Sequence, residues 1–246
     1  MAFQTADQMY RSYMTTGERV LDDLLGGGLE AGIVHLFYGS SSLNDDLLRM
    51  AVVAQLDRQH GGLATPVIVL DSINMIDILR LADISSEFDL EPEAVNERIF
   101  VSRAFNSSQT YDLVMNQLDA LLEQVPAKVL ILPGLADIYL HDNATGEGMQ
   151  QVSHMAYRVM TTTTRKGLTT VVSAASSTRN PNLPSGGRSL AGCAQIHVLV
   201  RDTPMRKTYT LAKHPGRPVQ TVSVGKSRQM FGTTPPLDWF FPDLGK

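Results

Sequence analysis

Five apolar runs of strand length constrain this chain more than any other feature, because each of the first four is followed by a segment with helical spacing. The runs fall at 32–38, 66–71, 98–103, 127–132 and 168–174. Strands that are apolar throughout, alternating with amphipathic helices, form parallel sheets covered on both faces, so the expected fold class is α/β. Helical spacing is clearest over 46–59, over 112–124 and from about 149 to 165. In the second of these, Leu113, Val114, Leu118, Leu121 and Leu122 recur on one face. After Leu190 the helical pattern stops. Runs at 194–201, 207–213 and 218–224 alternate between turn residues, which predicts antiparallel strands extending the sheet. The tail TTPPLDWFFPDLGK is too rich in proline for regular structure. Its Trp239, Phe240 and Phe241 are expected either to pack on the body or to dock on another protein.

A chain of 246 residues with 43% apolar content can bury one large core. No apolar run approaches the ~20 residues of a membrane helix. The start MAFQTADQMYRSYM lacks the basic end and apolar stretch of a secretory signal, and the single Cys193 excludes an internal disulfide. A cytoplasmic protein that does not engage membranes is expected. His35, His154 and His197 have no metal-ligand spacing, and Cys193 reads as a core residue. Ser40, Ser41 and Ser42 lack the Gly-x-Ser-x-Gly elbow of a serine hydrolase. No metal, cofactor or nucleophile is indicated.

The net charge of −4 hides an asymmetry: residues 179–228 hold nine Lys/Arg against one acid, Asp202. Such a block reads either as a surface for nucleic acid or an acidic partner, or as the solvated polar face of strands and turns.

The stretch TTGERVLDDLLGGGLEAGIVHL (15–36) carries a Thr-Thr-Gly start, a Leu-Asp-x-Leu-Leu helix and a triple glycine before the first strand. Four further segments follow in order: RIFVSRAFNSSQ (98–109), the strand at 128–132, TTVVSAASS (169–177) and PSGGRSLAGCAQIHVLVR (184–201). Together these resemble the core of the RecA/RadA recombinase family across about residues 15–225. The resemblance implies a RecA-like P-loop core over 15–228, between an N-terminal arm (1–14) and the Pro/aromatic tail (229–246). It also implies a role in homologous recombination and DNA repair.

A working P-loop wraps phosphates with glycine backbone, neutralises them with lysine and holds magnesium with Ser/Thr. The segment at that place keeps Gly39 but puts Asn44 at the second glycine, Asp45 at the lysine and Asp46 at the hydroxyl. Two unit charges ~4 Å apart interact by about 4 kcal/mol at an effective dielectric of 20, so Asp45 turns attraction into repulsion. Carboxylates at a helix start also accept free backbone N–H groups, so Asp45 and Asp46 are expected to fill the anion site themselves. The family's catalytic glutamate matches Ile73, its Walker B aspartate Pro133, and its Asn-Gln sensor Ala174 and Ala175. A pseudo-ATPase with no cofactor is expected.

The same family contacts single-stranded DNA through two loops. Glu147 stands where the first carries an arginine, whereas the second, 176–187, carries Arg179 and is followed by Arg188. With Arg201, Arg206 and Lys207 these form the candidate DNA-binding set. Phe3-Gln4-Thr5-Ala6 resembles the Phe-x-x-Ala self-association segment, making Phe3 and Ala6 candidate oligomerisation residues; the alternative is the apolar side of an ordinary helix. The leading expectation is a non-catalytic accessory factor that binds a RecA/RadA-type recombinase or itself, and possibly single-stranded DNA. A RecA-fold scaffold unrelated to DNA, and nucleotide binding without hydrolysis, are the alternatives.

Overall fold

The computed structural model describes residues 12–141 and 146–226. Phe3, Ala6, Arg228 and the aromatic tail therefore lie outside the described residues. Eight strands form one sheet: β3 (Val34–Gly39), β4 (Val67–Asp71), β5 (Ile99–Arg103), β6 (Val129–Leu132), β7 (Thr169–Ala175), β8 (Ile196–Asp202), β9 (Arg206–Lys213) and β10 (Gln220–Gly225). Their spatial order is β10-β9-β8-β3-β7-β6-β4-β5. The five strands expected from the apolar runs all form and pair in parallel. A separate two-stranded ribbon, β1 (Tyr13–Met14) with β2 (Leu29–Glu30), was not anticipated.

The three C-terminal runs form β8, β9 and β10, each antiparallel to the next as expected, while β8 joins the rest of the sheet parallel to β3, which was not anticipated. The direction of β8 is set by a helix beyond the expected limit, α9 (Gly187–Cys193), which carries the chain back across the sheet before β8 begins. Such a crossover is what a parallel pair requires.

Period-two alternation of the strands splits the core into two layers. Phe37, Val67, Val69, Val129 and Ile131 face α1 (Arg19–Leu25), α2 (Leu43–Val53) and α3 (Ile78–Glu87), packing on Leu21, Leu47, Met50 and Ile84. Leu36, Tyr38, Ile68, Leu130 and Leu132 face the other way. There they meet Val114 and Leu118 of the helical run 107–124, and Met155 and Val159 of the long helix α8 (Gly146–Lys166). The 107–124 run comprises α5 (Ser107–Asp112), a π-helical turn (Leu113–Gln117) and α6 (Leu118–Gln124). Two short helices complete the set, α4 (Pro92–Asn96) after α3 and α7 (Asp137–His141) after β6.

α2 starts three residues before its expected position and ends six residues early. Beyond it the chain reverses: Leu63 and Thr65 donate to the Ala54 carbonyl at 3.1 and 3.3 Å, so the apolar spacing past Val53 belongs to a turn. No helix among the described residues is long and apolar enough to cross a membrane.

His35 is fully buried in β3, with both ring nitrogens bonded. Its Nδ1–H donates to the Thr170 carbonyl at 3.2 Å, and Nε2 accepts from the Glu30 backbone N–H at 3.1 Å. The neutral ring is thus fixed in one tautomer, and burial lowers its pKa from 6.5 to about 4. Because the unfolded chain takes up a proton that the folded chain refuses, stability falls as pH drops from about 6.5 towards about 4, by roughly 3 kcal/mol in all. Urea unfolding across that window checks this, and His35→Asn should flatten the slope.

Candidate functional site

The parallel strands end along one edge of the sheet, where α/β folds place their ligands. Above β3, the chain turns through Ser40, Ser41 and Ser42 into α2. Gly39 opens this turn at φ +125°, and a Cβ there would stand 2.1 Å from the Val200 carbonyl oxygen of β8. Contact with the neighbouring strand is therefore enough to require glycine.

Four backbone donors of the turn are used within it or on the adjacent strand. Ser40 N–H donates to the Val200 carbonyl at 3.0 Å, Ser42 to the Ser40 hydroxyl at 3.3 Å, and Leu43 and Asn44 to the Ser40 and Ser41 carbonyls at 3.1 Å each. An anion nest needs successive N–H groups aimed at a common hollow, and these four point elsewhere. The expectation that Asp45 and Asp46 fill this anion site is not met, because both carboxylates turn outward to side-chain cations.

Asp45 takes a two-pronged contact from Arg80 of α3: Nε donates to Oδ1, and Nη2 to Oδ2 at 2.8 Å. This fork is the strongest common ion-pair geometry, and the guanidinium holds the Asp45 carboxyl below its usual range. Glu87 extends the network, 3.8 Å from Arg80 and 2.5 Å from Arg49, so α2 and α3 are riveted by alternating charges.

Asp46 goes to the other side. Its Oδ1 accepts from Lys207 Nζ at 2.7 Å and from the Tyr209 hydroxyl at 3.0 Å, both on β9. Lys207 also donates to the Ser42 carbonyl at 2.8 Å, tying the turn to the same strand. The side chains of Asp46 and Lys207 are only 9% and 12% exposed. Burial pushes the Asp46 carboxyl up, with the Lys207 ammonium pulling the other way, and burial beside this carboxylate raises the Tyr209 phenol. Lys207, expected in the DNA-binding set, is thus a buried counter-ion.

Ile73 lines the hollow beside the turn, next to Gly134, the residue after Pro133. A Cβ on Gly134, at φ +61°, would stand 2.2 Å from Ile73 Cγ2, so the isoleucine packs directly on the turn that ends β6. Asp71 is fully buried, and its carboxylate accepts from the Ile73, Met75 and Ile76 N–H groups at 2.9–3.3 Å. Ala175 is the last residue of β7, and its N–H donates to Asp137 Oδ1 at 3.0 Å, as does the Ser185 hydroxyl at 3.1 Å. The hollow enclosed by Gly39, Asn44, Ile73, Asp137 and Ala175 measures about 150 Å³. Sequence reasoning missed Asp137, because it stands four residues past Pro133, the position matched to the family's aspartate. It also missed Arg80 and Tyr209, which only the folded chain brings to Asp45 and Asp46.

A larger cleft of about 640 Å³ opens where β7 ends and α9 begins. Met149, Leu183, Pro184 and Ala191 give it apolar surface, and Arg179 and Arg188 are exposed around it. Most of the rest of the basic block is exposed but bonded within the chain. Arg217 donates to the Asp23 carbonyl at 2.9 Å at the end of α1, and Lys213 to the Ala194 carbonyl at 2.7 Å past α9, both where helix dipoles favour cations. Lys226 pairs with Asp202 at 2.6 Å, and Arg201 donates to the Asn182 side chain. Among the described residues, Arg179, Arg188 and Arg206 have no such partner. Glu147 lies exposed in the first turn of α8.

With this geometry in hand, a model of the Rad51 family matches residues 10–214. The chain belongs to the Rad51 family. This Rad51-family chain is 26% identical over 221 residues to the DNA repair protein RAD51 of Mycosarcoma maydis, an alignment covering 82% of the chain and 65% of that relative. It is also 26% identical over 215 residues to the meiotic recombination protein DMC1 homolog of Arabidopsis thaliana, covering 80% of the chain and 62% of the relative. The chain thus spans less than two thirds of the length of either. The RecA-like α/β fold expected from the five motif segments is the family's own.

The Asp46–Lys207 pair generates a prediction. Lys207→Met leaves a buried carboxylate without its cation and should cost about 3–5 kcal/mol in urea unfolding. Adding Asp46→Asn should recover most of that loss. A single-variant cost below about 1 kcal/mol would mean that the pair behaves as a solvated surface contact.

Proposed function

We propose that this chain is a non-catalytic member of the Rad51 family that acts in recombinational DNA repair by association, with a recombinase or with itself, and meets single-stranded DNA through Arg179, Arg188 and Arg206. The observation that carries the non-catalytic part is the turn above β3. Four of its backbone donors are used locally, and the residue at the lysine position is a carboxylate already forked onto Arg80. Among the described residues no cation lines the hollow, so a triphosphate entering there would face Asp45 and would find Ile73 where the family has its catalytic base. The repair assignment draws on the family and on the two relatives, one described as a DNA repair protein and the other as a meiotic recombination protein.

Calorimetric titration with ATP and magnesium tests the first part: no heat and no phosphate release are expected, and a micromolar constant would overturn it. Co-sedimentation with single-stranded DNA tests the second. With three phosphate contacts, affinity should fall roughly twenty-fold between 50 and 200 mM salt, by the single-strand slope of about −0.7 per contact. Arg179→Glu with Arg188→Glu should abolish binding. Retention on an immobilised recombinase, unaffected by those two changes, would separate the protein contact from the nucleic-acid contact.

A further inference from the structure

The cleft between β7 and α9 combines apolar surface with cations in a way that specifies an occupant. Pro184 is buried and Met149 half-buried, while Leu183 is 55% exposed. Arg179 and Arg188 are exposed there without an ion pair to any described residue. A matching ligand carries bulky apolar groups flanked by carboxylates.

The chain itself contains one. Residues 237–244 read LDWFFPDL, with five large apolar residues, Leu237, Trp239, Phe240, Phe241 and Leu244, and two acids, Asp238 and Asp243. Topology brings this segment within reach. β10 is antiparallel to β9, which is antiparallel to β8, so β10 runs in the same direction as β8, β3 and β7. Its last residues therefore lie on the same edge of the sheet as the cleft. Four strand spacings separate β10 from β7, or about 19 Å at ~4.8 Å each. The eleven residues between Lys226 and Asp238 span up to about 36 Å when extended. Neither the reach nor the charge opposes contact within one chain.

We propose that residues 237–244 dock in this cleft in cis, with the aromatic side chains against Met149, Leu183 and Pro184 and the two aspartates facing Arg179 and Arg188. The tail then covers the arginines offered above to DNA. The docking does not depend on that reading, since neither DNA nor recombinase enters its test.

Trp239 is the only tryptophan in the chain, so the intrinsic fluorescence of the full-length protein reports the tail alone. The expected result is a blue-shifted emission, shielded from acrylamide and unchanged on dilution. R179E/R188E should shift it to the red and raise the quenching constant several-fold, with circular dichroism checking that the core is intact. D238R/D243R, which leaves the core untouched, should do the same, and combining the four changes should restore shielding. Solvent-like emission in the parent protein overturns the proposal. So does a shielded indole that ignores both charge reversals, which would place the tail elsewhere on the body. Shielding that is lost on dilution also overturns it, because the occupant would then come from a second copy.

Discussion

At the start of α2, two adjacent carboxylates are drawn in opposite directions, Asp45 to Arg80 on α3 and Asp46 to Lys207 and Tyr209 on β9. Everything around the turn above β3 depends on that division. The Asp46 pair is buried, so its ions have given up water and persist only because each meets an opposite charge at hydrogen-bond distance. The Asp45 pair is more exposed, and its fork gives it direction more than energy. Together they clamp the first turn of one helix between a neighbouring helix and a strand some 160 residues away in sequence. A site that must open around a polyphosphate and close on a metal needs cations held in reserve. Here the nearby cations are engaged, and the proposed loss of nucleotide chemistry follows from that occupancy as much as from the missing lysine.

The same logic thins out the basic block. Nine cations against one acid over fifty residues look like a nucleic-acid surface when only sequence is counted. Folded, Lys207 balances a buried acid, Lys213 and Arg217 sit on backbone carbonyls at helix ends, and Lys226 pairs with the block's single acid. Part of the charge serves the far side of the sheet, where the edge strand β10 has only exposed and half-buried positions. Among the described residues, what is left for an external partner is Arg179, Arg188 and Arg206.

The central strands were legible in the sequence because burial on both faces leaves continuous apolar runs such as Val67 to Leu70 and Val129 to Leu132. The direction of β8 was not, since its alternation is the same in either orientation and only the crossover through α9 decides it. The end of α2 was misread because the turn after Val53 carries apolar residues, Leu56 and Leu63, at helix-compatible spacing. Gly39, Asn44, Ile73 and Ala175, which line the hollow, and Asp45 and Asp46 in the first turn of α2 were singled out by their order in the chain. Arg80, Tyr209 and Asp137 were not, because nothing local marks an arginine in the first turn of an exposed helix, or a tyrosine on a strand, as the partner of a distant carboxylate. Local chemistry names which residue has changed; tertiary contact names what the change is bonded to.

That distinction bears on how such a turn keeps its shape if, as proposed, it holds no nucleotide. A phosphate-binding turn is a convergence of backbone dipoles that a bound anion normally satisfies. Take away the anion, and the same donors need other acceptors or stay unpaired in a partly dry cleft. In this chain the acceptors are the Val200, Ser40 and Ser41 carbonyls and the Ser40 hydroxyl, all within the turn or on the adjacent strand. The side chains follow suit: Lys207 bonds both Asp46 and the Ser42 carbonyl, so one ammonium settles the charge of the helix start and the backbone of the turn together. The turn therefore meets much of its hydrogen bonding and charge from within the chain, although the Ser42 hydroxyl and Asp46 Oδ2 are buried without a partner.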